Sequence, residues 1–202
     1  MKISYIINIG FLIAGGLSYF LFTSCGDKKT RNNSQTSQPE TTKQKTIETK
    51  ENAFLDLRSM AFSVTPEQLK LSLPTDKTLV YGIVMDWEMN GATATIVSYQ
   101  TGDASLYLSS GGGVIGGGQH ENVSNASKHF VTFGQSFLDK ATKTEKTTLP
   151  ETNEIKFYFL TNKGVFVGQE QMKNFENSSS TWLPLFEEAN LVLTELRKTT
   201  NN

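Results

Sequence analysis

Between Leu79 and Ser109 three apolar runs are separated by tight-turn residues. Leu79-Val80-Tyr81-Gly82-Ile83-Val84-Met85-Asp86-Trp87 is apolar on both alternating faces for most of its length, which predicts a central strand covered on both sides. Asn90-Gly91 follows, the residue pair that best supplies the two positive φ angles of a type I′ hairpin turn. The return strand runs from Ala92 to Gln100, with Thr95, Val97 and Tyr99 alternating against Ala94, Ile96 and Ser98. Gly102-Asp103 turns the chain again, and Ala104 to Ser109 makes a third strand. A glycine-rich run, Ser109 to Gly118, closes this meander.

The period changes on either side. Phe54, Leu57, Arg58 and Ala61 fall at helical spacing, predicting a short amphipathic helix over 51–62. Thr65-Pro66-Glu67-Gln68 then has a capping-box pattern, a hydroxyl at N-cap with Gln three residues on. Val123, Ala126, Phe130, Phe133, Phe137 and Ala141 recur at steps of three and four, marking the apolar face of a helix from 121 to 140. A polar linker over 142–153 leads to a fourth strand, 155–160, and a fifth, 165–169, joined by Asn162-Lys163-Gly164. A last helix, with Ser180 as N-cap, buries Phe186, Ala189, Leu193 and Leu196. This order predicts an α+β domain over 51–199, followed by a tail at 200–202. Its antiparallel sheet has about five strands: a meander, a helix, a hairpin and a helix. Helices on both faces, a profilin-like three-layer arrangement, would account for the doubly apolar first strand.

The N-terminus has no such periodicity. Lys2 precedes an apolar stretch from Ile3 to Phe22, which runs through Thr23-Ser24 into Cys25, the sole cysteine of the chain. The arrangement resembles a bacterial lipoprotein signal peptide over 1–24, with Cys25 as the lipidated first residue of the mature chain. Phe22 and the single basic residue Lys2 depart from the usual pattern. An uncleaved membrane anchor is the other reading of a stretch this long. Either one tethers the domain to a membrane, and the lipoprotein signal places it in the cell envelope, outside the cytoplasm. From 25 to 50 the residues are Thr, Lys, Gln, Asn, Ser and Glu with almost nothing apolar, the composition of a disordered stalk.

Charge adds little to this picture. The formal net charge is −1, so the whole chain carries no electrostatic footprint for nucleic acid. Residues 26–50 hold six Lys or Arg against three Asp or Glu, and residues 51–202 hold twelve against seventeen, an acidic domain on a basic stalk. A lone cysteine excludes an internal disulfide framework.

Val84-Met85-Asp86-Trp87, Gly91-Ala92-Thr93-Ala94-Thr95, Ser105-Leu106-Tyr107 and Ser110-Gly111-Gly112-Gly113-Val114-Ile115-Gly116 together resemble a family of uncharacterised bacterial proteins. The similarity continues through Phe157 to Leu160 and the closing Leu183-Pro184-Leu185-Phe186, over most of residues 55–198. The resemblance implies a stand-alone bacterial domain and brings no activity, cofactor or site residue with it.

The candidate chemistry gathers around the glycines. Gly111 to Gly116 satisfies G-x-G-x-x-G between a strand and a helix, where free N–H groups could meet an anion. The run follows an antiparallel meander, however, and no Lys completes a P-loop; turns and close packing account for the same glycines. Asp86 and Glu88 share one strand face, a carboxylate pair suited to proton transfer or to a cation but equally ordinary at a strand end. His120-Glu121 opens like a zinc-protease helix, yet Ser124 stands where the second histidine belongs. His120 and His129 fall on opposite sides of one helix, so no metal set is expected.

These residues support two function classes. The first is a lipid-anchored, non-enzymatic envelope domain, without cofactor, that binds a protein or small ligand around Asp86, Trp87, Ser110, Gly111, Gly112, Gly113, Gly116, His120 and Glu121. The second is a hydrolase using His120 with Ser109 or Ser110, and Asp86 behind them.

Overall fold

The computed structural model describes residues 53–200. The expected signal segment 1–24, Cys25 and the stalk to residue 50 lie outside the described residues. Helix α1 spans 53–63. It is followed by β1 (Val80–Met89), β2 (Ala92–Tyr99), β3 (Ala104–Leu108), β4 (Gly113–Val114), α2 (Glu121–Gly134), β5 (Thr142–Thr144), β6 (Glu154–Thr161), β7 (Gly164–Gln171), α3 (Met172–Glu176) and α4 (Leu183–Lys198). The fold is α+β, with one antiparallel sheet in the order β4-β3-β2-β1-β6-β7-β5.

Among the described residues the sheet has seven strands rather than about five, and the two unforeseen ones are its edges. β4 is two residues drawn from the glycine run and β5 is three from the polar linker. Segments this short carry no alternation to read; they exist because β3 and β7 offer unpaired backbone groups beside them. The helix expected over 121–140 is α-helical only to Gly134 and tightens to a 3₁₀ helix over Gln135–Lys140. Trp182, not Ser180, is the N-cap of α4, although the Ser180 Oγ accepts the Trp182 N–H at 3.0 Å.

β1 is central, as its double apolar pattern demands. Ile83, Met85 and Trp87 face a larger core closed by Val123, Phe130 and Val131 of α2 and by Leu185, Phe186, Ala189, Val192 and Leu196 of α4. Val84 faces a smaller core under Phe54 and Ala61 of α1, shared with Tyr99, Tyr107 and Tyr158. Three layers result, with helices on both faces. A register shift between Val80 and Gly82 lets Tyr81 join Val84 on the α1 face, which a strict period of two would forbid.

Local signals act where the pattern placed them. Asn90 and Gly91 have φ of 52° and 87°, the type I′ combination. Thr65 and Gln68 make the reciprocal capping-box bonds, at 2.8 and 3.4 Å. The turn they start ends at Lys70, whose φ is 57°.

Pairing also defines the two ends of the sheet. The β1–β2 turn, the end of β3, the start of β6 and the end of β7 lie together at what we call the hairpin end. The β2–β3 and β6–β7 turns lie at the far end. Arg58 reaches Asp86 in β1, while the carbonyls of Ala61 and Val64 accept the hydroxyls of Tyr99 and Tyr81, each at 2.8 Å. α1 therefore begins at the hairpin end and runs toward the far end.

Candidate functional site

The α1 face of the sheet carries a polar layer near the hairpin end. Asp86, Glu88, Thr93, Thr95, Glu154 and Lys156 alternate with core residues on β1, β2 and β6, and all are buried. Arg58 enters from α1. Its Nε and Nη2 donate to the Asp86 carboxylate at 3.0 and 2.5 Å, and the Thr95 hydroxyl donates to the same carboxylate at 2.5 Å. The guanidinium also lies 4.8 Å from the centre of the Phe62 ring and 5.6 Å from that of Tyr158.

This layer holds the 145–153 segment against the sheet. Arg58 Nη1 donates to the Thr147 carbonyl at 2.7 Å, Tyr158 to the Thr148 carbonyl, and Lys156 Nζ to Thr148 Oγ1 and the Leu149 carbonyl, each at 3.1 Å. Glu154 accepts the Glu151 N–H at 2.8 Å, and Glu88 accepts those of Gly91 and Asn153 at 2.6 and 2.5 Å. Burial pushes the Tyr158 hydroxyl up from its ordinary range, against the smaller opposing effect of its bond to Thr148.

At the hairpin end an open cleft of about 650 Å³ lies between the β1–β2 turn and this segment, lined by Glu88, Gly91, Thr93, Pro150, Glu151, Thr152 and Gln171. Ser109 ties the glycine turn to the wall of the cleft. Its Oγ accepts the Thr93 N–H at 2.8 Å, and its own N–H donates to the Thr93 carbonyl at 2.9 Å. Ser110 and Gly112 are exposed in the turn beyond, and the Gly111 N–H closes it on the Leu108 carbonyl.

The residues singled out in the sequence divide into three places. Ser110, Gly111, Gly112 and Gly113 lie at the hairpin end, in the turn that follows Ser109, and none of them lines the cleft. Asp86 and Trp87 are not surface residues: Asp86 is 0% exposed and held by Arg58, and Trp87 lies in the opposite core, edge-to-face with Phe186 at 5.1 Å. His120, Glu121 and Gly116 have moved away along β4. Gly118 packs on Asp103 and Gly102 of the β2–β3 turn, so the start of α2 belongs to the far end. Gly116 is left-handed at φ 70°, and its N–H donates to Ser105 Oγ.

The hydrolytic set therefore does not assemble. Ser109 and His120 are separated by the length of β3, on the order of 13 Å at the usual strand rise, and Asp86 faces α1 on the opposite side of the sheet from α2. His129 pairs instead with Glu188 of α4 at 2.7 Å. Among the described residues no group of three His, Cys, Asp or Glu could hold a metal ion, and no helix is long and apolar enough to cross a membrane.

Arg58, Glu151, Glu154, Lys156 and Gln171 were not among the site residues expected from the sequence. Arg58 left a trace, a cation on the apolar stripe of α1, which requires an acid on the surface it covers. Glu154 and Lys156, alternating with Ile155 and Phe157, were the corresponding trace on β6. No family model matches the chain, and neither a curated protein nor a solved structure does. The resemblance to an uncharacterised bacterial family rests on its residues alone.

Proposed function

We propose that this chain is a lipid-anchored protein of the cell envelope whose domain binds a protein or small ligand at the hairpin end of its sheet, without an enzymatic step of its own. The observation that carries the reading is the open polar cleft at the hairpin end, whose Thr93 wall Ser109 ties to the turn where Ser110 and Gly112 are exposed. The dispersal of serine, histidine and aspartate over two ends and two faces supports binding over hydrolysis. The signal-like segment ending at Cys25 supports the tether.

Two experiments test it. A photo-crosslinking residue at Ser110 or Thr152 of the full chain should capture a partner in the envelope, and one at Asp103, at the far end, should not; equal capture from all three would overturn the binding face. Metabolic labelling with a radiolabelled fatty acid should mark the full chain and leave its Cys25→Ala variant unmarked, whereas an unlabelled chain of full precursor mass would point to an uncleaved anchor.

A further inference from the structure

Three carboxylates are buried on the α1 face, and a charge withdrawn from water needs a partner of opposite sign. Asp86 has Arg58, and Glu154 has Lys156 at 3.6 Å. Glu88, only 8% exposed, has no ion-pair partner among the described residues. Its two oxygens accept the backbone N–H groups of Gly91 and Asn153, which leaves each with further acceptor capacity. Glu88 lines the cleft, as does Thr93, its register partner on β2. Thr93 is also 8% exposed, and its hydroxyl makes no hydrogen bond among the described residues. Glu151 adds an exposed carboxylate, and among the described residues no Lys or Arg lines the cleft.

From this geometry, and resting on the binding reading above, we infer that the cleft takes its ligand by an ammonium or guanidinium group, as carried by a lysine- or arginine-bearing peptide. The cation supplies to Glu88 what Arg58 and Lys156 supply to the other two acids. Its remaining donors meet the Thr93 hydroxyl and the Glu151 carboxylate. Charge-assisted bonds of this kind are roughly twice as strong as neutral ones, more so where water is partly excluded. An organic cation fits better than a metal ion because a hard divalent ion seeks six or more oxygens.

The probe is a trilysine peptide titrated into the full chain by calorimetry, with triglycine, triglutamate and calcium chloride as separate titrants. Trilysine binds, and triglycine and triglutamate do not. Glu151→Gln and Thr93→Val, which keep the hydrogen bonds of Asp86, Glu88, Glu154 and Lys156 in place, each weaken trilysine by about tenfold, the loss expected for one hydrogen bond to a charged group. Asp103→Asn, which removes the same charge at the far end, leaves it unchanged. Absence of trilysine binding, insensitivity to Glu151→Gln, or an equal effect of Asp103→Asn would overturn the inference; so would calcium binding with the same dependence on Glu151. If crosslinking from Ser110 and Thr152 still captures a partner while trilysine fails, only the cationic class is lost; failure of both removes the binding face as well.

Discussion

Asp86 illustrates how one residue acquires its meaning from neighbours far away in sequence. At a strand end an acid is usually solvated, but here Arg58, Thr95 and the overlying 145–153 segment enclose it. Asp86→Ala should cost about 3–5 kcal/mol in urea unfolding, since it strands the Arg58 charge in the interior. The Arg58→Met, Asp86→Leu double variant should recover most of that loss, because an apolar pair of similar size needs no counter-charge. Ser98 is the opposite case: fully buried, its Oγ has no hydrogen-bond partner among the described residues. Ser98→Ala should therefore leave stability unchanged or raise it by about 1 kcal/mol, read from the same unfolding curves.

Among the elements, the glycine run shows how one composition serves two demands. Gly113 lies in β4 with φ 146°, and a Cβ there would sit 2.1 Å from the Leu106 carbonyl oxygen across the β3–β4 pair. Gly112 has φ 88° with open space around it. Gly112→Ala should cost only the left-handed penalty, about 1–2 kcal/mol, whereas Gly113→Ala should cost more and free the β4 amides to exchange with solvent. Equal effects in hydrogen exchange and unfolding would contradict this division. Gly168 of β7 answers to a different element: Trp182 lies across it, 2.1 Å from where a Cβ would be, while stacking on Phe157 at 5.7 Å. Nothing within β7 itself reveals this, because the tryptophan arrives from the start of α4.

At the scale of the molecule, the sheet is bound to the segments that cover its α1 face by tyrosines whose hydroxyls reach backbone carbonyls, Tyr99 and Tyr81 those of Ala61 and Val64 and Tyr158 that of Thr148. Burial raises the hydroxyls of Tyr81, Tyr99 and Tyr158 above their ordinary range in the folded state. A raised folded pKa means that the unfolded chain loses these protons first. The stability they confer is complete below about pH 10 and is lost as pH rises through the folded values. Thermal unfolding should move to lower temperature from about pH 10 upward, and Tyr99→Phe should blunt the effect.

The order of the main elements, the doubly covered β1, the Asn90-Gly91 turn and the capping box at Thr65 were legible in the sequence because periodicity and turn chemistry are local properties. The two edge strands were not, since runs of two and three residues pair only when a neighbouring strand presents its backbone. The candidate site was half legible. Ser110 to Gly113 and the Asp86–Glu88 face were visible as residue types, but burial, the Arg58 partner and the separation of His120 from Ser109 depend on which strands lie side by side. The sequence determined the α+β class and the residues that could bear chemistry. Tertiary structure alone decided which of them meet, because the polar layer joins α1, β1, β2 and β6 across up to about a hundred residues of chain, a distance over which no local pattern carries information.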